Sequence, residues 1–102
     1  MSTELTPTQR KFLKGLAHPL KPVVQVGKNG VTERLIETVS AALDDHELIK
    51  VKFIDFKEER EELTDEILKG ARAEKVAILG NIAILYREQR SPEKEKIIFP
   101  KK

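Results

Sequence analysis

The stretch Val23-Val24-Gln25-Val26-Gly27-Lys28-Asn29-Gly30-Val31-Thr32-Glu33-Arg34-Leu35-Ile36 decides the fold. Its β-branched start reads as a short strand, and Gly27 frees the backbone to turn where that run stops. Beyond Gly30, the apolar residues Val31, Leu35, Ile36, Val39, Ala42 and Leu43 recur at helical spacing, with Glu33, Arg34, Glu37, Ser40 and Asp44 between them. The reading is therefore strand, Gly-Lys-Asn-Gly loop, helix.

Working outward, Thr6-Pro7-Thr8-Gln9 opens an earlier helix: Thr6 can cap, Pro7 suits the first helical position, and Gln9 stands where it can reach back to the cap. Phe12, Leu13 and Leu16 supply its apolar stripe, Arg10, Lys11, Lys14 and His18 lie mostly on the other side, and Pro19 stops it. Downstream, Leu48 to Ile54 alternates Ile49, Val51 and Phe53 with Lys50 and Lys52, a strand with one buried and one basic face. From Lys57 to about Glu74, Leu63, Ile67, Leu68 and Ala71 mark a third helix whose N-terminal turns are crowded with acids, where the helix dipole favours them. Val76-Ala77-Ile78-Leu79 and Ile82-Ala83-Ile84-Leu85-Tyr86 flank Gly80-Asn81 and read as a hairpin with both strands largely buried. After the polar run from Gln89 to Lys96, Ile97-Ile98-Phe99 either adds a short edge strand or packs back. The order α-β-α-β-α-β-β calls for an α/β fold, a mixed four-stranded sheet with helices packed on it. Crossovers make the first strands parallel where they pair, and the final hairpin is expected to supply an antiparallel edge.

A chain of 102 residues fits one domain, with a core over about 6–87 and a polar tail over 88–102. No run approaches the ~20 apolar residues a bilayer crossing needs. The first residues lack the basic start and apolar stretch of a secretory signal, and there is no cysteine, so a cytoplasmic location is expected. The net charge of +2 hides a segregation: residues 1–34 carry a balance of +4, residues 35–74 one of −6, and residues 75–102 again +4. Such a molecule has a side that suits a polyanion and a side that repels one.

A loop between a strand and a helix start is a place where backbone N–H groups and the helix dipole attract an anion. In Gly27-Lys28-Asn29-Gly30 the glycines permit close approach, Lys28 adds charge, and Asn29 tolerates left-handed geometry. The same four residues alone also suit an ordinary turn. No G-x-G-x-x-G is present, and Val31-Thr32 follows Gly30 where a phosphate-binding P-loop needs Lys-Ser or Lys-Thr. His18 and His46 sit at a helix end and a turn, the serines lack a nucleophile motif, and two histidines without cysteine make a poor metal set. No catalytic residue, metal, cofactor or small-molecule substrate is expected. Tyr86 and the phenylalanines read as core, with Phe56 alone left open.

The blocks Lys14-Gly15-Leu16-Ala17-His18-Pro19-Leu20, Val26-Gly27-Lys28-Asn29-Gly30-Val31-Thr32, His46-Glu47-Leu48-Ile49-Lys50-Val51-Lys52 and Ile84-Leu85-Tyr86-Arg87 stand in a familiar order. Together, from about Thr6 to Arg87, they resemble the CRM domain, the chloroplast RNA splicing and ribosome maturation module, in its bacterial stand-alone YhbY-like form. The resemblance implies a fold similar to the C-terminal domain of translation initiation factor three, a G-x-x-G loop comparable to that of KH domains, and association with precursors of the large ribosomal subunit. In KH domains that loop clamps backbone nucleotides. Carried onto this chain, the expectation is a non-enzymatic, monomeric RNA-binding protein. Its contacts are the loop residues Gly27, Lys28, Asn29 and Gly30, extended by Arg10, Lys11, Lys14 and Lys21 and widened by Lys50 and Lys52 where their face is open. The alternative is a protein-interaction module whose acidic third helix binds a basic ribosomal protein. The stretch from Asp55 to Glu58 and the acidic helix depart most from the family pattern.

Overall fold

Helix α1 (Pro7–Ala17) begins with a reciprocal cap: the Gln9 N–H donates to Thr6 Oγ1 at 3.1 Å and the Thr6 N–H donates to Gln9 Oε1 at 3.0 Å. This computed structural model describes residues 5–88 and 97–99; Met1 to Glu4 and the polar run from Gln89 to Lys96 lie outside the described residues. The buried seam of α1 is Leu13 and Ala17, one helical turn apart, whereas Leu16 is 41 % exposed. The expected stripe is thus rotated: residues four apart stack on the face that meets the sheet, and Leu16 falls on its flank.

Strand β1 (Val24–Val26), helix α2 (Glu33–His46), strand β2 (Leu48–Phe53), a 3₁₀ turn (Lys57–Glu59), helix α3 (Arg60–Ala71) and the hairpin strands β3 (Glu74–Leu79) and β4 (Ile82–Tyr86) complete the order read from the sequence. The sheet runs β1-β2-β4-β3, with β1 parallel to β2 and both pairings of β4 antiparallel. The hairpin supplies the expected antiparallel edge, with β3 outermost, but it joins the sheet through its second strand. Its second strand is inserted between β2 and β3, because the crossover through α3 carries β3 one strand position away and the tight Gly80-Asn81 turn brings the chain back into the gap. Gly80 has φ +60°, as the first central residue of a II′ turn requires. All of β4 except Ile82 is buried, but within β3 only Val76 is. Being outermost and bulged between Lys75 and Ala77, β3 turns both Val76 and Ala77 toward the same side of the sheet.

Two apolar layers result. On one face Val24, Val26, Ile49, Val51, Phe53, Ala83 and Leu85 meet Val39 and Leu43 of α2 and Ile67 and Ala71 of α3. On the other, Leu48, Val76, Ile84 and Tyr86 meet Leu13 and Ala17 of α1. The alternation within β2 thus sends Ile49, Val51 and Phe53 to the two-helix side and Lys50 and Lys52 to the α1 side. Ile97-Ile98-Phe99 forms no strand and packs back: Phe99 stacks at 5.7 Å from Phe12 and 5.8 Å from Tyr86, between ring centroids.

Glu47, between α2 and β2, is 2 % exposed at φ +65°. Its carboxylate accepts from the Tyr86 hydroxyl at 3.0 Å and from the Ile97 N–H at 2.7 Å, which satisfies the buried charge and ties the C-terminal segment to the body. Burial first, and then the hydrogen bond to Glu47 and the charges of Glu47 and Glu88, push the Tyr86 phenol well above its usual range and keep it a donor.

Candidate nucleic-acid interface

The loop leaves the C-terminal end of β1 beside the end of β2, and the Ile54 and Asp55 amides both donate to Val26 O, at 2.9 and 3.1 Å. Within it, the Gly30 N–H donates to Gly27 O at 3.0 Å, closing a four-residue turn with Lys28 and Asn29 at its tip. This spends the Gly30 amide internally, so the loop presents the amides of the two tip residues and not every amide it contains. The glycines play different parts. Gly30 takes φ +66°, a left-handed conformation that side-chain-bearing residues resist. Gly27 does not, and a Cβ there meets nothing within 4 Å. The fold makes no demand on Gly27 that alanine fails to meet.

Lys28 and Asn29 are exposed, and among the described residues no hydrogen bond engages their side chains. Thr32 caps α2 by accepting from the Leu35 N–H at 3.1 Å, and the Glu33 and Arg34 amides ahead of it have no partner within the helix. Beside the loop lies an open groove of about 380 Å³, bounded by Val23 just before the edge strand and Gln25 within it, by the loop, and by Arg34, Leu35 and Thr38 of α2. Its walls mix the apolar Val23, Val24 and Leu35 with the polar Gln25, Thr32 and Thr38, and it carries two cations, Lys28 and Arg34.

Arg10, Lys11 and Lys14 are exposed along α1, and Lys21 is exposed in the segment that leads to β1. Lys52 is exposed on the α1 side of the sheet. Lys50 is not the open cation that the sequence suggests. Half-buried, it donates its ammonium to His18 O at 3.2 Å and Leu20 O at 3.0 Å, closing the end of α1. The face that bears the two lysines is covered by α1 as far as Lys50 and open at Lys52.

Arg34, Gln25 and Thr38 line the groove without having been singled out in the sequence. Arg34 stands four residues past Gly30 at the start of α2, a position readable as adjacent to the loop once the helix start is fixed; Gln25 and Thr38 carry no local signal. Phe56, left open above, proves to be the loop's neighbour: its ring lies 3.4 Å from where a Gly30 Cβ would stand. Among the described residues, no cluster of His, Asp and Glu that could hold a metal ion occurs, and no helix is long and apolar enough to cross a membrane.

Three comparisons bear on this arrangement. The family model of the CRS1/YhbY (CRM) domain matches residues 5–87. A Haemophilus influenzae protein named "RNA-binding protein" is 43 % identical over 101 residues, covering 98 % of this chain and 99 % of its own. The Bacillus subtilis "Probable RNA-binding protein YqeI" is 38 % identical over 97 residues, covering 94 % and 99 %. The solution structure of the Staphylococcus aureus protein SAV1595 superposes with a TM-score of 0.75 at 32 % identity, over 87 % of this chain and 94 % of that one. With its family model matched across the whole body and relatives aligned from end to end, the chain belongs to the CRS1/YhbY (CRM) domain family.

Proposed function

We propose that the chain binds RNA without catalysing a reaction on it, holding phosphate at the 27–30 loop and following the backbone along exposed cations, and that its target is ribosomal RNA in precursors of the large subunit. The observation that carries the reading is the turn tip. Lys28 and Asn29 project into solvent with their amides unused by the turn, Gly27 offers no side chain to obstruct an approaching backbone, and a groove of mixed polar and apolar lining opens alongside. A phosphate at the tip meets the Lys28 ammonium and outward amides. Arg34, Lys21, Lys52 and the α1 cations Arg10, Lys11 and Lys14 extend the positive surface; Lys50 belongs to the scaffold. The relatives named for RNA binding support the choice of polyanion, and the acidic stretch on α3 sets the side that RNA avoids.

Phosphate contacts release condensed counterions, so affinity for single-stranded RNA should fall with salt at a log-log slope near −3.5 for about five contacts, from ~0.7 each. A slope near zero in a binding titration removes the electrostatic mechanism. Sedimentation of cell extracts tests the ribosomal part: the protein should travel with large-subunit precursors, and a profile confined to the top of the gradient contradicts it.

A further inference from the structure

Phe56 is 41 % exposed, unlike the buried Phe53 in the strand before it. It adopts φ 57°, ψ 36°, a left-handed conformation that is an outlier for a bulky side chain and costs of the order that asparagine or glycine would avoid. An exposed aromatic ring at a strained position gains nothing for the core. The atoms Cδ2, Cε2 and Cζ of the ring lie 3.4–3.9 Å from the ideal Cβ position of Gly30, so one edge of the ring rests on the loop proposed to hold phosphate.

We infer that Phe56 is a stacking platform for an unpaired RNA base whose neighbouring phosphate is held at the 27–30 loop. This inference rests on the proposed RNA-binding role and adds to it a contact with bases. Bases have π-faces that stack on an aromatic ring in a sequence-tolerant way. The charges around Phe56 fit the division of labour. The chain around Phe56 carries three acids, Asp55, Glu58 and Glu59, against one base, Lys57, so phosphate stays on the Lys28 side while the uncharged base reaches across Gly30 to the ring.

The test uses the full chain and three variants. The protein has no tryptophan, so Phe56→Trp provides a single fluorophore at the site. A short single-stranded oligoribonucleotide should quench its emission, and an abasic strand of the same length and charge should not. Phe56→Leu keeps apolar volume against Gly30 and removes the ring. It should weaken binding of the base-bearing strand by roughly 5- to 100-fold and leave binding of the abasic strand unchanged, with melting showing that the variant is folded. Equal losses for both strands would mean that the ring only props the loop, and no loss for either would mean that it touches nothing; each result overturns the inference. Lys28→Asp separates this from the underlying reading, since it should weaken both strands alike. Unchanged binding of both strands by Lys28→Asp would count against the phosphate site itself.

Discussion

Lys50 and Lys52 are two residues apart on one face of β2, and the sheet gives them opposite tasks. The ammonium of Lys50 is committed to two carbonyls at the end of α1, whereas Lys52 points into solvent. Replacing Lys50 with methionine keeps the stem and deletes the donor, so two helix-end carbonyls lose a charged partner. The expected cost is about 1 kcal/mol, since the site is part-exposed, which lowers the melting temperature by roughly 4–8 °C for a chain of this size. RNA affinity should change less than in Lys52→Met, which in turn should melt normally. Equal melting of the two variants would show that the contact at the helix end contributes nothing. The sequence displays both lysines as an identical alternation with Ile49, Val51 and Phe53; the difference arises from residues about thirty positions away, and no local pattern carries it. Where the partners are local, sequence reading succeeds: Thr6 and Gln9 lie three apart, and both halves of their cap are present.

At the scale of elements, the side chain of Arg87 joins parts that the backbone leaves separate. From the end of β4, its guanidinium donates to Ser40 Oγ at 2.9 Å, Ser40 O at 2.7 Å and Asp44 Oδ1 at 2.6 Å on α2, and to Ala71 O at 2.7 Å at the end of α3. The exposed Asp44 carboxylate adds little, because water screens it; the two carbonyls are the valuable partners, being less able to find water. Arg87→Ala should destabilise the protein by about 2–4 kcal/mol in urea unfolding. Arg87→Lys should recover less than half of that loss, since a single ammonium cannot span both helices as a planar fork does. Full recovery in the lysine variant would show that charge, not geometry, is what matters there. Element identity and order were legible because helical and strand periodicities are local. The insertion of β4 between β2 and β3 was not, because strand order is settled by which edges meet after the crossover through α3. The bulge that gives β3 its half-exposed pattern is likewise invisible in a run as uniformly apolar as Val76-Ala77-Ile78-Leu79.

The whole molecule has a one-sided construction. The 27–30 loop and the start of α2 stand at one end of the sheet, α1 carries exposed cations over one face, and the acids of α3 lie over the other. The loop was legible from its place between a strand and a helix; the groove beside it is lined entirely within residues 23–38 but takes its shape from how β1 and α2 pack, and the contact between Gly30 and Phe56 joins segments far apart in the chain, so both needed the fold. The central claim is that the loop tip holds RNA phosphate, and replacing Lys28 and Asn29 together with aspartate tests it most directly, since Gly27, Gly30 and the turn bond between them remain. Both sites are exposed, so stability should move by less than ~0.5 kcal/mol, while two carboxylates at the tip repel phosphate. In an RNA titration of this double variant, paired with a thermal melt, the account predicts a normal melt with affinity reduced at least about tenfold, about 1.4 kcal/mol; a normal melt with unchanged affinity would contradict it.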